Sequence, residues 1–456
     1  MKDQTGNRRN KLLYAIGSIG DTGSYVLVST YLQFFLIDVA FLNAWLAGII
    51  YMIAYGIWNA INDPIIGFVS DRTRTRWGRR KPFIFIGASF SLIFYILIWG
   101  PPLGLSTISI FFYLLFIIIA YEFFYSMAAV TWFAVYPELW ESVKERSEVV
   151  IYRQVFAIVG GIFASGIFPI LQANFAVTFG EIPSWMISSA IVGALFTITF
   201  LVSLFGIKER KEFSMEEKFS LGGLLKKNLR SKPLLTYMGI HTMTFAMAGW
   251  QSAIAPFFIV HSLGLGIDIM ALLMLPSMIT TIAFFPLWRK IYMKLGPKKS
   301  VGAAATVNIF CYIPVLFITG ILGVLLWGFF IGVGTSGILV TREVMVADVC
   351  DADECKMGVR NEGSIFGFTK LSSRASLMLV GLFTSLLLDA IIGYDPLLPD
   401  PPLMDILLRL GFFLVTLLFT LILYLSLALY PLNTLKVEAM HQELEEKRRK
   451  KKEKLE

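Results

Sequence analysis

"IWNAINDPIIGFVSDRTRTRWGRRKPF", residues 57–83, begins as an apolar helix and ends in a dense basic cluster. Two amides and a carboxylate, Asn59, Asn62 and Asp63, interrupt the apolar part. Six Lys and Arg follow within residues 71–82. A charge at the centre of a bilayer costs about 2.5–3.5 kcal/mol on insertion scales, so a carboxylate in such a run marks a site or a pairing. The basic cluster has a simpler reading. Lys and Arg gather where a helix emerges into the cytoplasm.

The whole chain follows this pattern. Of its 456 residues, 56% are hydrophobic and only 16% charged, with a mean hydropathy of +0.69. A soluble protein would carry about 25% charged residues. Twelve apolar runs reach the roughly 20 residues that a membrane-crossing helix needs. Their approximate spans are 12–37, 45–70, 83–101, 107–137, 149–173, 184–206, 233–261, 268–293, 300–319, 321–348, 362–392 and 403–430. The expectation is an all-α integral membrane protein of twelve transmembrane helices.

Placing the N-terminus inside puts 36 of the 40 Lys and Arg on that side and none in the opposite loops. The other four, Arg153, Lys370, Arg374 and Arg409, fall within spans. This bias predicts a multi-pass protein of the cell membrane with both termini cytoplasmic. It also accounts for the net charge of +8 without nucleic acid, which would need a soluble basic face. The polar start "MKDQTGNRRNKLL" lacks the pattern of a cleaved signal peptide, so the first run is expected to remain as a span. Cys311, Cys350 and Cys355 form no disulfide framework. "DVCDADEC" has no further ligands at structural-zinc spacing, so free thiols in an acidic cytoplasmic loop are expected.

The longest internal polar segment, 207–232, divides the chain into halves at 1–206 and 233–430, with a basic tail at 431–456. Part of the segment is mildly amphipathic and suits the inner membrane surface. The halves echo one another. "GFVSDRTRTRWGRRKPF" follows the second span, and "FPLWRKIYMKLGPKKSV" follows the eighth. Two pseudo-symmetric six-helix bundles would leave this trace.

"NDPIIGFVSDRTRTRWGRRKPF" resembles the signature between spans two and three of the glycoside–pentoside–hexuronide:cation symporters, the melibiose-permease-like branch of the major facilitator superfamily. "DADECKMGVRNEGSIFGFTK", residues 351–370, resembles the same family's loop before span eleven. The resemblance covers essentially the whole chain. It implies alternating access between two bundles, a functional monomer among membrane lipids, and a gradient of H⁺ or Na⁺ as the driving force, with no other cofactor.

The charged residues inside spans are then the site candidates. Asn59, Asn62 and Asp63 stand at i, i+3 and i+4, on one helix face. Their oxygens suit a small cation such as Na⁺, and Asp63 alone suits a proton. The resemblance assigns this face to the coupling cation, but the family carries an acid where this chain has Asn59. The missing charge favours protons. Glu122, with Ser126 one turn on, replaces that acid or carries a proton itself. Asp21 matches a family acid that accepts hydrogen bonds from sugar hydroxyls. Its partner acid in span four falls on Ala129, which suggests a different glycoside or a non-sugar cargo. Lys370 matches the family's central lysine, which organises the carboxylates; its other reading is a permanent salt bridge. Arg153 lines the site or seals the inner gate. Tyr25 and Trp132, sharing spans with Asp21 and Glu122, are placed near substrate. Asp71, Arg72, Arg79, Arg80 and Arg374 are assigned to the inner gate, and His241 to packing.

The leading expectation is cation-coupled transport of a small glycoside or related sugar. The alternative keeps the fold and carries an amphipathic substrate such as a lysolipid. A receptor or scaffold without transport ranks below both. No nucleophile–base motif, phosphate loop or pump-type ATPase domain suggests an enzyme.

Overall fold

The computed structural model describes residues 8–102, 104–140, 143–207, 231–357 and 362–432, with short parts of the tail beyond. It is helical nearly throughout. The helices in chain order are α1 (Arg8–Ala15), α2 (Gly17–Phe34), α3 (Ala44–Tyr51), α4 (Asn59–Arg72), α5 (Lys81–Ile98), α6 (Thr107–Leu139), α7 (Val143–Ile162), α8 (Phe168–Phe179), α9 (Glu181–Ser203), α10 (Lys232–Phe257), α11 (Met270–Tyr312), α12 (Gly320–Met357), α13 (Glu362–Ser385) and α14 (Met404–Leu429). Among the described residues, five π-helical segments continue or join them, at Phe35–Val39, Met52–Trp58, Phe163–Ile167, Phe258–Ser262 and Leu386–Ile392. Helix is what the solvent demands: in hydrocarbon, backbone N–H and C=O groups must pair within their own segment.

Ten stretches among the described residues are long and apolar enough to cross a membrane. The longest, Ile267–Leu316, covers two of the expected runs. It turns at Gly296, whose φ of 72° lies in the left-handed region that glycine adopts without strain. Pro297 follows it. Helix α12 is longer than the expected span 321–348 and takes in Cys350 and Cys355. Arg342 stands within the expected span. It is buried, as is Cys350. The expected acidic loop around the two cysteines is helix as far as Met357. The segment 208–230 and its expected surface helix lie outside the described residues.

The chain divides into two compact units. The first contains Met1–Glu217, Ser252–Leu275 and Leu377–Leu408; the second contains Lys218–Gln251, Pro276–Ser376 and Arg409–Glu456. In the first unit α2 packs on α7 and α9, and α5 packs on α6 and α9. Small residues make these approaches possible, as in membrane helices generally. A side chain at Gly160 of α7 would strike the Ile19 carbonyl, and one at Gly87 of α5 would strike the Ala128 backbone. The core between them is aromatic. Trp99 and Trp185 stack at 5.5 Å between ring centres, beside Phe35 and Phe168. Glu181 accepts from Trp185 Nε1 at 2.8 Å and from Gln172 at 3.0 Å, which satisfies both donors inside the unit.

In the second unit, several cross-helix hydrogen bonds go to backbone carbonyls. Trp250 Nε1 donates to Phe412 at 3.2 Å, and Thr281 donates to Gly332 at 3.2 Å. Arg409 donates to the carbonyls of Val315 and Ile318, both at 2.9 Å, at the turn before α12.

Gly160→Val is expected to lower the stability of the detergent-purified protein by about 1–3 kcal/mol, as overpacking does. Gly67→Ala, where nothing lies within 4 Å of the added carbon, should match or exceed wild type. Thermal unfolding of both variants checks this. Equal melting temperatures would mean that the α2–α7 contact is not tight.

Candidate functional site

The polar face of α4 is set by what precedes it. The π-helical segment Met52–Trp58 inserts a wide turn before Asn59, and Pro64 lies inside α4. Proline lacks an N–H and leaves the carbonyl four residues earlier without its helical partner. Wide turns of this kind gather at functional positions. Asn59 and Asn62 are buried at 1% and 2% exposure, and Asp63 is half-buried one turn on from Asn59.

Helix α6 faces them in the first unit. Asn59 Nδ2 donates to Glu122 Oε2 at 2.9 Å. Asn62 Nδ2 donates to the Glu122 carbonyl at 3.4 Å. Glu122 is 2% exposed and Ser126, one turn further, is fully buried. The amide of Asn59 is thus used on its nitrogen side only. Its Oδ1 is buried with no hydrogen-bond partner among the described residues. A buried amide oxygen without a donor costs about 1–3 kcal/mol, and a carbonyl beside a carboxylate suits a cation. The structure brings Asn59, Asn62 and Glu122 together, with Ser126 and Asp63 on the same two helix faces.

Asp21 stands on α2 and is half-buried. Tyr125 of α6 donates its hydroxyl to Asp21 Oδ1 at 3.0 Å and lies 3.2 Å from the Asp21 carbonyl. Tyr125 was not among the expected residues. Its signal was helical spacing: positions 122, 125, 126 and 129 share one face. Ala129, where the family has its second acid, is buried at 6% exposure. In this chain a phenol one turn earlier is the partner of Asp21. Tyr121 stacks on Tyr125 at 5.6 Å, and Tyr95 lies beyond it at 5.5 Å. Tyr25 is half-buried, one turn after Asp21 on α2.

The Trp132 ring lies against α2 one turn before Asp21, where an added side chain at Gly17 would meet it. It is fully buried, stacked on Tyr14 at 4.7 Å, in a core with Trp140 and Phe200. Arg153 belongs to this same cluster. Its guanidinium lies 4.4 Å from the Phe133 ring centre and 4.8 Å from that of Trp132, which are cation–π distances. Arg72 is exposed and covers the Phe68 ring at 3.7 Å. Arg79 is half-buried and Arg80 is buried at 6% exposure. The side chain of Asp71 lies outside the described residues.

Lys370 and Arg374 stand on α13 in the second unit, the first exposed and the second half-buried. The same unit has a small pocket that the sequence reading missed. Thr244, Gln251, Asn308, Tyr312, Thr335 and Arg342 line it among apolar neighbours. Tyr312 donates to Gln251. The Arg342 guanidinium lies 4.1 Å from the Phe245 ring centre. His241 packs between Phe245 and Tyr237, with ring centres 4.7 and 5.7 Å away. No group of three or more His, Cys, Asp or Glu able to hold a metal exists among the described residues. Any cation at the α4–α6 face would be held by amide and hydroxyl oxygens as well as carboxylates.

Comparison with known proteins places these features in a family. The chain is 24% identical over 395 residues to an isoprimeverose transporter of Lactiplantibacillus pentosus, covering 83% of this chain and 79% of that protein. It is 24% identical over 391 residues to the sodium-dependent lysophosphatidylcholine symporter 1-B of Danio rerio, covering 75% and 71%. Among solved structures it is similar to a bacterial homolog of the human lysosomal transporter Spinster in an inward-facing, unoccupied conformation. The TM-score is 0.70 at 13% identity, over 97% of this chain and 99% of that one. The family and these neighbours are transporters, not enzymes, and the protein is a multi-pass membrane protein. A family model described as MFS/sugar transport protein matches residues 13–434, and the chain therefore belongs to that family.

Proposed function

We propose that the protein is a secondary active transporter that couples uptake of a small glycoside or related sugar to H⁺ or Na⁺ by alternating access. The observation that carries this reading is the hydrogen bond between Asn59 and Glu122. Two buried polar groups meet there at 2.9 Å inside membrane-spanning helices, and such groups mark ion and substrate paths. Substrate binds on the adjoining Asp21–Tyr125 surface, where a carboxylate and a phenol offer an acceptor and a donor to sugar hydroxyls. Glu122 and Asp63 hold the coupling cation, with oxygens from Asn59, Asn62 and Ser126. The two sites share α6, so occupation of one alters the helix that presents the other. By the resemblance, Lys370 organises the carboxylates, and Arg374 joins Asp71, Arg72, Arg79 and Arg80 at the inner gate. The protein spans the cell membrane with twelve helices in two six-helix bundles and both termini cytoplasmic. It works as a monomer among membrane lipids, and it binds no nucleic acid.

A second reading has its own support. Ala129 leaves the Asp21 surface less polar than two acids would, and one relative is a lysophosphatidylcholine symporter. An amphipathic lysolipid fits such a surface. Thermal unfolding against glycosides, uronides and lysolipids separates the two, since a ligand at 100 times its Kd adds about 2.7 kcal/mol to stability. Stabilisation by lysolipids alone would overturn the sugar reading.

Glu122→Gln and Asp63→Asn are expected to abolish uphill accumulation in proteoliposomes while leaving counterflow measurable. Uphill uptake at wild-type levels by either variant would remove that residue from coupling. Repeating the assay with an imposed Na⁺ gradient and with an imposed pH gradient identifies the ion.

Asp21→Asn is expected to weaken substrate binding about 10- to 100-fold, the loss of a charge-assisted hydrogen bond. Tyr125→Phe should weaken it by less than about tenfold. Unchanged affinity in both would move the substrate site elsewhere.

A further inference from the structure

His261 lies outside the site just described, in the π-helical extension of α10 (Phe258–Ser262). Both of its ring nitrogens meet carboxylates. Nε2 lies 2.7 Å from Asp38 Oδ2, and Nδ1 lies 2.9 and 3.1 Å from Asp400 Oδ2 and Oδ1. Tyr394 donates its hydroxyl to the other Asp38 oxygen at 2.8 Å. Its ring stands edge-on to the imidazole at 5.2 Å. These groups come from three separate segments of the first unit: the end of the N-terminal helix pair, the end of α10, and the connection after α13.

Hydrogen counting decides what this arrangement holds. Each of the two N···O contacts needs one hydrogen between nitrogen and oxygen. A neutral imidazole has one N–H, and an ionised carboxylate has none. The set therefore contains one proton more than a neutral imidazole with two carboxylates, whichever atom carries it. Asp38 and Asp400 are the charged groups that face the imidazole. Burial above all, then the Asp38 carboxylate, pushes the Tyr394 phenol far above its ordinary range, so Tyr394 remains a donor. The His261 and Asp38 side chains are 11% and 10% exposed, whereas Asp400 is 45% exposed. Water therefore reaches the set through Asp400.

Other contacts join the same segments. Asn43 donates to Asp389 at 3.0 Å, and Gln33 donates to the Gly381 carbonyl at 3.1 Å.

We infer that Asp38, His261 and Asp400 form a proton-binding site that latches Ser252–Leu275 and Leu377–Leu408 onto the N-terminal part of the first unit. The proton bridges three segments only while the junction is closed. The closed junction therefore holds the proton more tightly than the open one, and raising the pH favours opening. On release, the proton passes to water at Asp400 and one N–H···O contact is lost. With both termini cytoplasmic, the latch faces the outer compartment and answers to external pH. It is separate from the coupling cation at Glu122 and Asp63, and failure of either proposal leaves the other standing.

Amide exchange of the full-length protein in detergent tests this, read at residues 258–265 and 394–403 between pH 6 and pH 8.5 and corrected for intrinsic exchange. Wild type should open more as pH rises, by up to about tenfold per pH unit, the limit for one linked proton. His261→Gln should open readily and without pH dependence. Protection in wild type that ignores pH would overturn the latch, as would His261→Gln retaining the wild-type profile. If His261→Gln does not fold, Asp400→Asn serves at the exposed end. It should move the opening midpoint to lower pH, and an unmoved midpoint overturns the proposal.

Discussion

A carboxylate removed from water must find its partners inside the protein, and Glu122 imposes that requirement on the first unit. An unpaired charge in hydrocarbon is too costly to keep, whereas a hydrogen-bonded one is tolerable. Asn59 turns its nitrogen to Glu122 and leaves its oxygen buried. That choice fixes the facing of α4 against α6. The same α6 face then presents Tyr125 to Asp21 on α2. Three helices are thus aligned by polar contacts, in a medium where apolar side chains give them little reason to prefer one facing over another.

Close packing supplies the remaining order. Gly160 and Gly87 let backbones approach where any larger side chain would meet a carbonyl or an amide. Large aromatics fill the space between: Trp99, Trp132 and Trp185 are fully buried. Arg153 is held in this setting by ring faces, which gives its charge a partner without a carboxylate.

Much of this was legible in the sequence because the bilayer imposes simple rules. Apolar runs located the helices, and the shared face of Asn59, Asn62 and Asp63 followed from 3.6-residue spacing. What spacing cannot give is the partner across a helix gap. Tyr125 was missed for that reason, although it shares the Glu122 face. Trp132 shares a span with Glu122, but spacing could not show that its ring is fully buried and stacked on Tyr14. The acidic stretch around Cys350 and Cys355 was expected as a loop because charges look like the end of an apolar run; in the structure α12 continues through it to Met357. The turn at Gly296 was expected as a loop between two spans, and the non-helical backbone of this glycine, with positive φ, breaks the helix there. His241 was expected only to pack, and its aromatic neighbours agree with that. His261 drew no comment, because its carboxylates lie far away in sequence.

The wide turn between Met52 and Trp58 has a consequence for how this chain tolerates change in length. A π-helical turn is what one extra residue looks like when an α-helix absorbs it. Each residue of a regular helix advances the facing direction by about 100°. Deleting one residue between 52 and 58 would restore regular helix there and swing Asn59, Asn62 and Asp63 away from Glu122. Apolar character would survive such a deletion, and so would the span. Residue count in this stretch is consequently as binding as residue identity, and an alignment that treats a one-residue gap here as neutral would pair polar groups that face different helices.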